Sequence, residues 1–147
     1  MFDLRPMSFD DLGFTEVLND LVKKVQDRYK ISVTSQIDEI TLHNQTMLLT
    51  LYRVIRECCL NAAEHSDCGT IYIQVKKDDL QHCVRIEIGD DGIGFDVEEV
   101  LASKKKHYGL KIMKERVELL GGSLEIHSSK NQGTKIRIVV PLCRYDE

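Results

Sequence analysis

Two hydrophobic spacings alternate along the chain, and each predicts a different kind of element. Apolar residues recur at helical intervals in three segments, which predicts helices at Phe14–Tyr29, Met47–Ala62 and Gly109–Leu120. Apolar and polar residues alternate in five shorter segments, which predicts strands at Ile31–Ser35, Thr70–Lys77, Val84–Ile88, Ser123–Ser128 and Thr134–Val140. This order of elements predicts an α/β (α+β) two-layer sandwich, a mixed β-sheet covered on one face by about three helices.

Composition places the chain among ordinary globular domains. Its 147 residues are 42% hydrophobic and 30% charged, which fits one compact domain. Since 20 Lys and Arg face 24 Asp and Glu, a net charge of −4 argues against a broad surface for nucleic acid or anionic lipid. No apolar run approaches the roughly 20 residues of a membrane helix, and no signal-peptide pattern opens the chain. These features predict a cytoplasmic domain.

The number and spacing of the cysteines predict reduced thiols. The count is odd, two of the cysteines are adjacent and none is spaced as C-x-x-C, which favours core thiols over disulfides. The five cysteines are Cys58, Cys59, Cys68, Cys83 and Cys143. Zinc binding by Cys58, Cys59, Cys68 and His65 is an alternative. Adjacent helical residues point about 100° apart, which disfavours it.

The long helix carries a polar stripe beside its apolar one. Glu57, Asn61 and His65 lie four residues apart and therefore share a face. Taken alone, the stripe is explained as the water-facing side of an amphipathic helix. Asn competes for backbone hydrogen bonds inside a helix, however, and this favours a functional role slightly.

Two loops complete the candidate chemistry. Gly89 to Phe95 reads G-D-D-G-I-G-F, in which glycines permit close approach of a flat ligand and Asp90 can accept a hydrogen bond; a tight acidic turn is the alternative. Lys104–Leu110 reads K-K-K-H-Y-G-L, a basic run before a helix start that suits an anion. A solvated charge run is the simpler explanation of that segment alone.

Together and in this order, the motifs resemble the Bergerat-fold ATP-binding superfamily of gyrase B, Hsp90 chaperones, MutL and sensor histidine kinases. Residues 51–66 are similar to the N box, Asp90–Phe95 to the first glycine box, and His107 through Gly122 to the second. The similarity is greatest to histidine kinases that partner helix-turn-helix response regulators of the NarL type. The resemblance spans essentially the whole chain.

The resemblance implies roles for particular residues. Asp90 would bind the adenine amino group, with Gly94 completing the base pocket. Asn61 would coordinate Mg²⁺, and Glu57 would act as the general base or orienting carboxylate. Residues 96–106 would form a lid. The remaining implied ATP-binding residues are His65, Gly92, Phe95, Lys104, Lys105, Lys106, His107, Gly109, Leu110 and Thr134.

Three positions depart from the expected pattern. Glu64 stands where the family often has Lys before the N-box histidine, which puts a phosphate contact there in doubt. Lys111 occupies a position where many relatives have Gly, a change that fits the NarL-type variant. Gly89 is an unusual residue inside a strand.

The resemblance also implies what surrounds the domain. Residues 1–13 look like a junction from upstream dimerisation helices, and residues 14–147 like the catalytic domain. None of the five histidines lies in an N-terminal helical hairpin. The phosphoacceptor histidine, and any membrane anchor, are therefore expected upstream, in a homodimeric parent that signals to a response regulator. Alone, the chain is expected to bind ATP and Mg²⁺ but barely to autophosphorylate.

Three alternatives remain at this point. A free-standing serine kinase and anti-sigma factor shares the fold, but a junction-like beginning and the residues from His107 to Arg116 disfavour it. An ATP-hydrolysing clamp of the mismatch-repair or chaperone kind needs large further domains. A non-enzymatic thiol or metal-binding domain is the simplest alternative.

Overall fold

The computed structural model describes residues 13–65, 67–98 and 108–142, in which three helices and five strands are found. The helices are α1 (Phe14–Tyr29), α2 (Gln45–His65) and α3 (Tyr108–Leu119). The strands are β1 (Ser32–Ile37), β2 (Thr70–Asp78), β3 (Cys83–Asp90), β4 (Ser123–Ser128) and β5 (Thr134–Pro141). Every element predicted from hydrophobic spacing is present, and no end is shifted by more than three residues.

The strands form one mixed sheet in the order β1-β2-β3-β5-β4. Strand β1 pairs with β2 in parallel, and the other three pairs are antiparallel. A parallel pair needs a crossover connection, which α2 supplies. The two antiparallel hairpins, β2–β3 and β4–β5, have the short turns that the sequence predicts.

The sheet has one apolar face and one polar face. Ile73, Ile88 and Ile136 stand in one register row and are all buried against the helices. The next row carries Gln74, Glu87 and Arg137, whose side chains lie on the opposite face because strand residues alternate. The predicted two-layer arrangement, with helices on one face only, is confirmed.

Helix α1 is fixed to the β1–α2 connection by a buried threonine. The Thr15 hydroxyl donates to the Asp38 carbonyl oxygen at 2.8 Å and accepts from the Ile40 N–H at 2.9 Å. Thr15 is only 5% exposed, so both bonds are sheltered from water. Nothing in the hydrophobic pattern indicated this contact, because it joins residues more than twenty positions apart.

The ends of the helices follow from local chemistry. Asn44 accepts the Met47 N–H through its side chain at 3.1 Å, which satisfies one of the free donors at the start of α2. Helix α3 ends at Leu119, and Gly121 then takes a left-handed φ of 80°. The prediction that Gly121 and Gly122 stop this helix is confirmed. No helix in the described ranges is both long and apolar enough to span a membrane.

The tertiary structure explains Gly89, for which the sequence offered no reason. Gly89 pairs with Tyr72 across β2 and β3. A Cβ on Gly89 would lie 2.1 Å from Tyr72 Cε1 and 2.6 Å from its phenol oxygen. The tyrosine ring therefore occupies the volume that a side chain at position 89 would need.

We expect Gly89→Ala to destabilise the wild-type protein by about 1 kcal/mol or more, because the tyrosine ring must move. In a Tyr72→Ala background the same change should be neutral or stabilising, since glycine in a strand costs about 0.5–1 kcal/mol relative to alanine. Urea unfolding of the four variants measures the coupling. An equal cost in both backgrounds would contradict this account of Gly89.

Candidate functional site

Helix α2 contacts α3, and it also contacts β3. Glu57 Oε1 on α2 lies 3.9 Å from the position that a Cβ on Gly109, in the first turn of α3, would occupy. One turn further along α3, Cys58 Sγ contacts Met113 Sδ at 3.8 Å. The flank of α2 that carries Glu57 thus faces the start of α3.

Glu57 and Asn61 are half-buried, so the stripe is not simply a solvated outer face of α2. His65 is the last residue of α2. The His65 side chain lies outside the described structure. Residues 99–107 also lie outside it, and they comprise most of the candidate lid (residues 96–106), with Lys104, Lys105 and Lys106, together with His107.

Asp90 ends β3 on the face of the sheet that the helices cover. It pairs with Ile71 on β2 and with Thr134 on β5, and Thr134 in turn pairs with Ser128 on β4. Ile71 is fully buried, which identifies this row as part of the helix-facing side. Asp90 and Thr134 are half-buried, and Asp90 Oδ1 accepts the Gly92 N–H at 2.9 Å.

The loop after β3 lies directly against the β4–β5 turn. Gly94 has a φ of 65°, and a Cβ there would stand 2.1 Å from the Ser129 carbonyl oxygen. Gly133 has a φ of 74°, and a Cβ there would stand 2.1 Å from the Asp90 carbonyl oxygen. Both positions therefore require glycine for two reasons, the left-handed backbone and the backbone contact.

Asp90 and the neighbouring Asp91 have different hydrogen-bond partners. Asp91 Oδ1 accepts the N–H groups of Gly69 and Thr70 at 2.9 and 3.1 Å, which ties the loop to the start of β2. The hydrogen bond from Thr70, followed by that from Gly69, lowers the pKa of Asp91. The sequence singled out Asp90 and gave Asp91 no role. Only the fold brings Gly69 within reach of Asp91.

Glu64 has a structural partner that accounts for its departure from the expected lysine. The Tyr29 phenol donates to Glu64 Oε1 at 2.6 Å and so joins the ends of α1 and α2. This hydrogen bond is the main reason that the pKa of Tyr29 is raised. Tyr29 gave no sequence signal, because the pair is 35 positions apart.

The remaining predicted site residues are divided between the site and the core. Gly92, Gly94 and Phe95 form the loop after Asp90, and Phe95 packs partly against the core. Gly109 is exposed at the start of α3. The Leu110 side chain is 6% exposed and belongs to the core, so only its backbone is available to a ligand in the first helical turn.

The described thiols agree with the prediction of core residues, since Cys58, Cys59 and Cys83 are buried and Cys68 is half-buried; Cys143 lies outside the described residues. Cys58 and Cys59 are buried, and burial raises the pKa of Cys58 well above its ordinary value and that of Cys59 to about 12. Cys68 donates to the Ala62 carbonyl oxygen at 3.3 Å. Within the described residues, no three His, Cys, Asp or Glu side chains are grouped so as to hold a metal ion.

Three features are those of the Bergerat-fold class of ATP-binding domains. They are a mixed sheet with helices on one face, a polar stripe on α2 that faces the first turn of α3, and an aspartate at the end of β3 on the helix-facing side. The family model for the histidine kinase-, DNA gyrase B-, and HSP90-like ATPases matches residues 47–144. The chain belongs to this family. The prediction that it is the ATP-binding domain of a sensor histidine kinase is confirmed.

Curated relatives are histidine kinases of the predicted type. The chain is 32% identical over 143 residues to the signal transduction histidine-protein kinase/phosphatase DegS of Brevibacillus brevis, covering 97% of this chain and 36% of that protein. It is 42% identical over 91 residues to the sensor histidine kinase YdfH of Bacillus subtilis, covering 62% of this chain and 22% of that protein. The chain thus spans about a third or less of these relatives.

Solved structures agree on the fold. The histidine kinase domain of the blue-light activated kinase from Erythrobacter litoralis superposes with a TM-score of 0.76 at 20% identity, over 89% of this chain and 62% of that one. The mycobacterial sensor histidine kinase MprB gives 0.70 at 24% identity, over 88% of this chain and 95% of that one. At these identities the likeness concerns the fold alone.

Proposed function

We propose that this domain binds ATP with Mg²⁺ between α2, α3 and the end of β3, and supplies the γ-phosphoryl group for a sensor histidine kinase. The proposal is supported by the closeness of Glu57 to the start of α3, taken together with the position of Asp90 and Thr134 on the helix-facing side of the sheet. A nucleotide in this space has its base at the strand ends and its phosphates at the helix start.

The base is recognised by Asp90. Its carboxylate accepts a hydrogen bond from the exocyclic amine of adenine, and the half-buried position strengthens that bond relative to water. The left-handed turn at Gly94 keeps side chains away from the ring plane. Gly92 and Phe95 complete this side of the pocket.

The phosphates are bound at the start of α3. The N–H groups of Gly109 and Leu110 belong to its first turn, where free donors and the helix dipole favour anions. We assign the charge that completes this site to Lys104, Lys105, Lys106 and His107, and to His65 at the end of α2. These five assignments rest on the sequence motifs.

The residues on α2 suit Mg²⁺. Asn61 offers an amide oxygen and Glu57 a carboxylate one helical turn away, and Mg²⁺ prefers such oxygen ligands while keeping phosphate and water oxygens as the others. When bound, the ion neutralises charge on the transferring phosphoryl group. Asn61 holds the ion, and Glu57 orients the nucleophilic nitrogen or accepts its proton at a carboxylate oxygen.

The acceptor is a histidine on a dimerisation domain that precedes residues 14–147 in a longer, homodimeric kinase, with residues 1–13 as the junction. The phosphoryl group then passes to a helix-turn-helix response regulator, and nucleic acid is not contacted directly. Reduced thiols and ATP as substrate favour a cytoplasmic location. The similarity to DegS and YdfH supports this assignment.

Asp90→Asn should weaken ATP binding about tenfold or more, because a hydrogen bond to a charged acceptor is worth about 1.5–3 kcal/mol. The amide oxygen can still accept from Gly92, so the fold should persist. Calorimetric titration with a non-hydrolysable ATP analogue measures the affinity, and Asp79→Asn in the remote β2–β3 turn is the matched control. Unchanged affinity in Asp90→Asn would reject the adenine contact.

Asn61→Ala should weaken binding of the same analogue more in the presence of Mg²⁺ than in EDTA, because the amide oxygen acts through the ion. The two titrations are compared with those of wild type. Equal losses with and without the metal would contradict the role of Asn61 as a ligand.

Transfer itself is tested by mixing the chain and radiolabelled ATP with the dimerisation domain of the parent kinase. Acid-labile phosphohistidine should form with wild type and fall at least tenfold with Glu57→Gln, while the affinity of Glu57→Gln for the ATP analogue changes little. Phosphohistidine formation at an equal rate in both would exclude Glu57 from the transfer step. No labelling with wild type, despite ATP binding, would contradict the kinase assignment.

A further inference from the structure

The half-buried hydroxyl of Ser128 lies at the centre of a small hydrogen-bond network. Ser128 Oγ accepts the Phe95 N–H at 2.9 Å, donates to the Gly133 carbonyl oxygen at 2.9 Å, and lies 2.9 Å from Thr134 Oγ1. We infer that Ser128 is a positioning residue that fixes the direction of the Thr134 hydroxyl proton. Through that direction it determines which purine base the nucleotide site prefers. This inference rests on the proposed function.

The direction of each bond follows from the capacity of a hydroxyl group. A serine hydroxyl has one proton and two lone pairs. Its proton is donated to Gly133, since a carbonyl oxygen cannot donate, and one lone pair accepts from Phe95. The contact with Thr134 is a hydrogen bond only if Thr134 is the donor. The proton of Thr134 is thus directed at Ser128, away from any ligand.

Thr134 then presents only lone pairs toward the site. It is paired directly with Asp90 on the helix-facing side of the sheet, so a carboxylate and a hydroxyl acceptor stand side by side. Two acceptors favour a purine with an amine at position 6, as in adenine, and disfavour one with a carbonyl oxygen there, as in hypoxanthine.

Ser128 also holds the base-binding loop in place. Phe95 ends the loop that begins at Asp90, and Gly133 belongs to the turn whose backbone touches that loop. One side chain therefore bonds to both segments at once. Loss of its hydroxyl removes the hydrogen bonds that Ser128 makes with the Phe95 N–H and the Gly133 carbonyl, and the loop is expected to loosen.

The test compares ATP with inosine triphosphate, in which a carbonyl oxygen replaces the amine at position 6 and N1 carries a proton, in calorimetric titrations with Mg²⁺. Ser128→Ala should lower the affinity for ATP about tenfold and reduce the preference for ATP over inosine triphosphate, because the freed Thr134 hydroxyl can donate to the carbonyl oxygen. Ser123→Ala, at the exposed start of the same strand, should change neither quantity. Adding Thr134→Val to Ser128→Ala should remove the relative gain of inosine triphosphate.

Each outcome discriminates. An unchanged ratio of the affinities for ATP and inosine triphosphate in Ser128→Ala overturns the inference. An equal loss of affinity for both nucleotides is one such result, and a merely structural role would give it. If wild type selects ATP but Ser128→Ala behaves the same, this inference alone fails. If wild type binds neither nucleotide, the proposed function fails with it. Should Ser128→Ala not fold, Ser128→Cys keeps a small side chain with only a weakly bonding thiol and is judged by the same ratio.

Discussion

The backbone contact between the loop after β3 and the β4–β5 turn is the constraint on which the candidate site depends. Gly94 and Gly133 each bring a backbone within a distance that no side chain would allow. Asp91 then ties the same loop to the start of β2. With both its sides fixed, the loop holds Asp90 at the end of β3 on the helix-facing side of the sheet, where we propose that it accepts a hydrogen bond from adenine.

The two faces of the sheet have different surroundings. The apolar face buries a continuous core against α1, α2 and α3, and the site lies where that core ends. The polar face is shaped by side chains rather than helices, as where Tyr72 covers Gly89. Glycines in this chain thus serve different purposes: a left-handed turn at Gly94, and room for a ring at Gly89.

Departures from the family pattern are informative when a structural partner can be found. Glu64 has a structural role, because its carboxylate accepts a hydrogen bond from the Tyr29 phenol. An acidic residue at this point joins two helix ends, and the positive charge that phosphate needs must come from elsewhere in the chain. Family membership therefore predicts the kind of site, while the particular residues that complete it differ among relatives.

Hydrophobic spacing by itself determined all eight described elements and the helix-on-one-face architecture, because periods of 3.6 and 2 record which side of each element is buried. Motif order also determined the ATP-binding class. Sequence could not assign Asp91, Ser128 or Tyr29, each of which has a hydrogen-bond partner 21 to 35 positions away that is brought near only by packing. A polar side chain shows its chemistry in the sequence, but its partner is decided by the tertiary structure.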